Sequence, residues 1–110
     1  MTSWTPQKIE DRADEALAYL IKTDEELADL KYDTEAAEHK HGATIDAHFL
    51  LLEGTVESRK ANARRAPESE SAFHEFLEAQ RRYDYVANKR KSEAMVIEWL
   101  RSLYSARKQG

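Results

Sequence analysis

Three histidines, His39, His41 and His48, stand among Glu35, Glu38 and Asp46. Glu38-x-x-His41 places a carboxylate and an imidazole one turn apart on one helix face, the spacing that di-iron helical bundles use. Such a centre needs a second motif of the same kind and two further carboxylates on facing helices. Only His74-Glu75 offers itself on the opposite helix, and the expected register keeps it away from His41. His41 and His48 are therefore read as polar seam residues that fix register, and no metal or cofactor is expected. Nucleophilic catalysis needs a Ser, Thr or Lys beside a base and an oxyanion hole, usually on loops held by a rigid scaffold. The chain has almost no loops and no phosphate-cradling glycine motif, so it is expected not to be an enzyme.

The basic clusters carry more information. Arg59-Lys60 and Arg64-Arg65 precede Pro67, and Arg81-Arg82 and Lys89-Arg90-Lys91 follow it. Folding the chain at Pro67 brings these nine cations to one half of a hairpin. Tyr83 and Tyr85 lie among them, and cations interleaved with aromatics suit single-stranded nucleic acid, where charges track phosphates and rings stack on bases. The competing reading is a solvated helix face balanced by Glu57, Glu68, Glu70, Glu75, Glu78 and Asp84, with Glu78 and Arg82 a favourable pair four residues apart.

Charge is distributed unevenly along the chain. Residues 1–54 hold 5 Lys or Arg against 13 Asp or Glu, whereas residues 55–110 hold 12 against 8, within a total of −4. Part of this asymmetry is explained if two helices of opposite sign lie side by side. It also supports an alternative function: a protein-interaction module or small inhibitor whose Glu10, Asp11, Asp14, Glu15, Asp24, Glu25, Glu26 and Asp29 dock onto a basic partner.

Placing these residues requires helices. With 41% hydrophobic and 35% charged residues, 3 Gly and 2 Pro, the 110-residue chain resembles long-helix usage in a single domain. Cysteine is absent, so disulfides and thiolate chemistry are excluded. No apolar run approaches the roughly 20 residues of a membrane span, and Met1 to Pro6 lack the order of a signal peptide, so a cytoplasmic protein is expected.

Thr5-Pro6 marks a helix start, and Ile9, Ala13, Ala16, Leu17 and Leu20 follow at spacings of three and four. Thr23-Asp24-Glu25-Glu26 matches a capping box, which predicts a break near Lys22, with a helix running straight through as the alternative because no Gly or Pro enforces the break. The predicted elements are a helix over about 6–21, a helix over about 24–63, a turn over about 64–70 at Pro67, and a helix over about 71–107. Leu27, Leu30, Thr34, Ala37, His41, Ile45 or Thr44, His48 and Leu52 recur with a period near 3.5, a coiled-coil seam. Gly42 and Gly54 permit close contact or a local bend within that helix. The returning helix carries Phe73, Phe76, Leu77, Gln80, Tyr83, Ala87, Ala94, Ile97 and Tyr104 on its inner stripe. Reflection about Pro67 places Ile45 near Lys89, Leu52 near Arg82 and Leu27 near Arg107. The fold expected is all-α: a long antiparallel, coiled-coil-like helical hairpin with a short N-terminal helix.

This hairpin has more apolar surface than one chain can cover. Met95 to Tyr104 can be covered by the first helix, through Leu17 and Leu20. Phe49, Leu50, Leu51 and Leu52 instead ring most of a helix circumference, and with Val86 they are expected to meet a second copy in a homo-oligomer.

The stretch from Ala47 to Lys108 resembles the UvsY-type recombination mediators of phages. The resemblance lies in Phe49-Leu50-Leu51-Leu52-Glu53-Gly54-Thr55-Val56-Glu57-Ser58-Arg59-Lys60-Ala61 and in Lys89-Arg90-Lys91-Ser92-Glu93-Ala94-Met95-Val96-Ile97-Glu98-Trp99-Leu100-Arg101-Ser102. Such mediators are small helical proteins that form rings, bind single-stranded DNA and help to load a recombinase. The resemblance implies the same fold class, a homo-oligomer, a recombinase or other protein partner, and phosphate contacts at Arg59, Lys60, Arg64 and Arg65.

Overall fold

A computed structural model describes residues 3–109, the last three by backbone alone. The charged side chains expected at the helix end, Arg107 and Lys108, and the expected neighbour of Leu27 lie outside this description. Among the described residues every regular element is helical: α1 (Pro6–Leu51), α2 (Val56–Arg65) and α3 (Pro67–Gln109). Residues divide into two compact units, a terminal one of Met1–Leu27 with Tyr85–Gly110 and a central one of Ala28–Asp84. In each unit α1 and α3 pack antiparallel, the helical hairpin expected from the seam pattern. No helix among the described residues is long and apolar enough to cross a membrane.

Thr5 caps α1, its Oγ1 accepting from the Lys8 N–H at 3.2 Å. The break expected near residue 23 is absent, and α1 runs for 46 residues. Thr23 is not a cap: its hydroxyl donates to the Tyr19 carbonyl at 2.7 Å, a bond made only inside a helix. Thr23 is buried because the seam keeps phase through it. Ile9, Ala16 and Thr23 are buried at intervals of seven, with Ala13 and Leu20 half-buried between them. That seven-residue repeat is the coiled-coil pattern, in which an interrupting cap would turn the following seam away from its partner.

The interruption comes instead at Gly54. Its φ of 118° lies where a side chain is strained. Thr55 follows in an extended conformation and caps α2, accepting from Ser58 N–H at 3.1 Å. The helix expected to continue through residue 63 thus becomes two. Gly42, by contrast, sits in uninterrupted helix with open space around it, so it serves no close contact.

The expected seven-residue turn contracts to Ala66, at φ −55° and ψ 138°, because Pro67 forbids a helical residue before it and starts α3 itself. With α2 inserted, the register moves. In the central unit Lys40 meets Glu75 and His48 meets Glu68, pairs centred near Ser58 rather than Pro67. Ile45 therefore lies by Phe73, not by Lys89.

The inner stripe of α3 is rotated from the one expected. In the central unit Ser69, Ala72 and Ala79 are buried, with Phe76 and Tyr83 half-buried, while Phe73 and Leu77 are exposed. In the terminal unit Val86 and Leu100 are buried, with Arg90, Glu93 and Ile97 between them in phase. Alternating steps of three and four connect these positions, so Phe73 and Leu77 fall just outside the stripe.

Two charged residues thereby enter the seam. Arg12 forks onto Glu93, with Nη2 to Oε1 at 3.0 Å and Nη1 to Oε2 at 2.8 Å. Arg90 donates through Nη1 to the Leu20 carbonyl at 2.6 Å and to Thr23 Oγ1 at 2.7 Å. The fork holds the Glu93 carboxyl below its ordinary range against the opposing effect of burial, and raises the Arg12 guanidinium further. A polar layer of this kind tolerates few alternative alignments, since a slip of one turn leaves buried donors and acceptors without partners.

Candidate nucleic-acid interface

The nine cations marked out by sequence have different fates. Arg59 is taken up by the end of α1. Its Nε and Nη2 donate to the Phe49 carbonyl at 3.3 and 3.0 Å, and its guanidinium sits 4.1 Å from the Phe49 ring centre. It adds to the long 3.4 Å bond that the Phe49 carbonyl accepts from the Leu52 N–H at the helix end, and it covers an apolar ring. Arg90 is likewise spent in the terminal-unit seam, and Lys89 lies 4.6 Å from the ring centre of Tyr19. Arg59 and Arg90 thus have internal hydrogen-bond partners, while Lys89 stays exposed beside its ring.

Arg81 and Arg82 are exposed on α3 but lean on one residue. Arg81 approaches Glu78 at 3.7 Å, and Arg82 Nε donates to the Glu78 carbonyl at 3.4 Å. The pair anticipated between Glu78 and Arg82 side chains is thus made by Arg81. Lys60, Arg64, Arg65 and Lys91 are exposed and make no ion pair among the described residues. Lys91 belongs to the terminal unit, which leaves three free cations on α2.

The placement of those three follows from the sequence of α2. Ala63 is wholly buried, and Arg59 flanks it one turn earlier, so these residues form the inward face. Lys60 and Arg64 are four residues apart on one side, and Arg65 points away from the inward face. Glu57 is the only acid of the helix. Cations in the last turn also suit the negative end of the helix dipole.

Tyr83 does not join this surface as expected. It is half-buried in the α3 stripe, at the edge of an open depression with Lys31, Thr34, Glu35, Glu38 and Gln80. Tyr85 is exposed but belongs to the terminal unit. The aromatic ring that shares a pocket with Arg64 is Phe73. Together with His41, Ile45, Arg64 and Glu70 it lines an open pocket of 250 Å³. The His41 and Phe73 ring centres are 5.2 Å apart. The signal that could have revealed this was the α3 repeat itself, which excludes Phe73 from the seam once Ala72 and Phe76 occupy it.

Among the described residues no group of three or more His, Asp or Glu could hold a metal ion. His48 Nε2 lies 3.2 Å from Glu68 Oε2, and His41 is turned to Phe73.

The expected oligomer surface is reduced. Leu50 and Leu51 are 76% and 82% exposed, whereas Phe49 and Leu52 are half-buried. Val86 is only 7% exposed in its own seam and is withdrawn from that surface. Met95 and Trp99, expected to be covered by the first helix, stay largely exposed because they project opposite the Glu93–Ile97–Leu100 stripe. Trp4 reaches Trp99 edge to face at 5.3 Å without covering it.

No family model, no curated protein and no solved structure matches the chain.

Proposed function

We propose that the chain is a non-enzymatic, homo-oligomeric helical hairpin that binds single-stranded DNA through α2, as an accessory or mediator factor in phage-type homologous recombination in the cytoplasm. The observation that carries this reading is Lys60, Arg64 and Arg65 on one ten-residue helix, all exposed and none ion-paired among the described residues. In the same unit Lys40 is neutralised by Glu75, whereas α2 gathers its three exposed cations within six residues. Unpaired cations on a short helix keep their charge available for phosphate, and phosphate contact releases condensed counterions. The resemblance of residues 47–108 to UvsY-type mediators supports the same reading and supplies its biological setting. Leu50 and Leu51 are the side chains proposed to join one copy to the next, and a repeated α2 would multiply a weak patch into a longer track.

The test is binding of a fluorescein-labelled oligodeoxynucleotide between 20 and 200 mM salt. The triple variant Lys60→Glu/Arg64→Glu/Arg65→Glu is expected to bind too weakly to detect at the upper end and to flatten the salt slope by about 2, at ~0.7 per phosphate contact. Absence of binding by the wild type at the lowest salt refutes the proposal.

A second reading has its own support. Glu10, Asp14, Glu25 and Glu26 are exposed on α1 and none is ion-paired among the described residues. Docking of this acidic face onto a basic protein would survive nuclease and fail in Glu25→Lys/Glu26→Lys, whereas DNA binding would not.

A further inference from the structure

We infer that the pocket lined by His41, Ile45, Arg64, Glu70 and Phe73 receives one unpaired nucleobase, stacked on Phe73, while its phosphate lies on the Lys60–Arg64 side of α2. This inference rests on the single-stranded DNA reading and adds to it the place where the base goes.

Three features of the pocket point to a base. Phe73 is 41% exposed, because the α3 repeat leaves it just outside the seam. A second ring lines the pocket with it, His41 at 5.2 Å and tilted by 40°, and His74 lies 6.3 Å from Phe73 outside the lining. Flat groups of this kind stack on any base, since every base offers a π face. The volume of 250 Å³ falls below the roughly 300 Å³ at which drug-sized ligands are usually held, so it suits a single planar group.

The charges in the pocket differ in kind and would orient a nucleotide. Arg64 contributes five N–H donors and makes no ion pair among the described residues, so the phosphate belongs on its side. Glu70 only accepts hydrogen bonds when ionised and repels phosphate, so it faces the donor edge of a base instead. A base inside a duplex does not present its face, and the pocket therefore distinguishes single strands from duplex.

Three measurements test this on the full-length chain. Wild-type protein should bind a 20-nucleotide single strand at least tenfold more tightly than the duplex of the same sequence. Phe73→Leu should lower single-strand affinity about tenfold, the loss expected for one stacked base, while leaving the salt slope and the duplex affinity unchanged. Phe73 is partly exposed, so this variant should keep its helical circular dichroism. The third measurement needs no variant: an oligodeoxynucleotide carrying 5-iododeoxyuridine, irradiated with the wild type, should cross-link to a peptide containing Phe73 or His74.

The outcomes separate the two proposals. If the wild type binds no single strand at low salt, both fall. If it binds with a salt dependence that the α2 triple variant removes, but Phe73→Leu binds normally, the base pocket alone is overturned. A cross-link mapped outside the pocket, or equal affinity for duplex and single strand, also overturns it.

Discussion

Arg90 shows how a single residue's role is decided by its bonds. Its sequence neighbours Lys89 and Lys91 suggest a phosphate-binding triplet, yet its Nη1 lies 2.7 Å from the Thr23 hydroxyl and 2.6 Å from the Leu20 carbonyl. Replacing Arg90 with Ala should cost about 1–3 kcal/mol, because buried polar groups lose a charged partner. Urea denaturation would read this as a lower midpoint, with DNA affinity unchanged. The α2 triple variant should do the reverse. Glu93 sets a pH dependence. Its folded pKa lies below the ordinary carboxylate value, chiefly through the hydrogen bonds from Arg12. Its contribution is therefore complete above the unfolded value of about 4.3 and is lost as the pH falls through the lower folded value. The melting temperatures of the wild type and Glu93→Gln should differ at pH 7 and converge toward pH 3.

At the scale of elements, two glycines placed in what reads as one helix have opposite consequences. Gly42 is in helical backbone with nothing near a prospective Cβ, so Gly42→Ala should stabilise the protein by about 0.5–1 kcal/mol. Gly54 holds φ at 118°, and Gly54→Ala should cost about 1–3 kcal/mol by straining the junction of α1 and α2. Thermal melts of both variants check the pair, and a reversal of sign would argue against the interruption at Gly54. That interruption matters for function, because it separates α2 as a short basic helix. Without it, Lys60, Arg64 and Arg65 would continue the length of α1.

For the whole molecule the decisive quantity is how little apolar surface the seams cover. Four of the seven buried apolar residues described are alanines, and Leu100 is the one large apolar side chain less than 2% exposed. Small seam residues let two helices approach closely but bury little area, and each contributes less than a Leu or Phe would. Meanwhile Leu50, Leu51, Met95 and Trp99 stay in water. Leu50 and Leu51 are adjacent, and the proposed association rests on that contiguous exposed apolar surface. Light scattering is expected to give a mass above that of one chain, and Leu50→Glu/Leu51→Glu should lower it. A mass of one chain at all concentrations for the wild type would remove the oligomer from the proposal.

The helical class, the antiparallel pairing of two long helices and the seam of α1 are legible in the sequence, because a seven-residue apolar repeat has meaning only on a helix facing another. That repeat even crosses Thr23 without losing phase, and it outweighs the local Thr-x-x-Glu pattern there. Capping motifs are short and recur by chance, whereas a repeat sums many weak contacts. Register and the fate of each cation were decided by tertiary structure alone. Inserting α2 moves every cross-helix pair of the central unit, and no local pattern carries that displacement. Arg59, Lys60, Arg64 and Arg90 look alike in sequence, but charge is available to a ligand only where the fold leaves it without a partner. For Lys60 and Arg64 the fold does so, and it sets Phe73 in one pocket with Arg64.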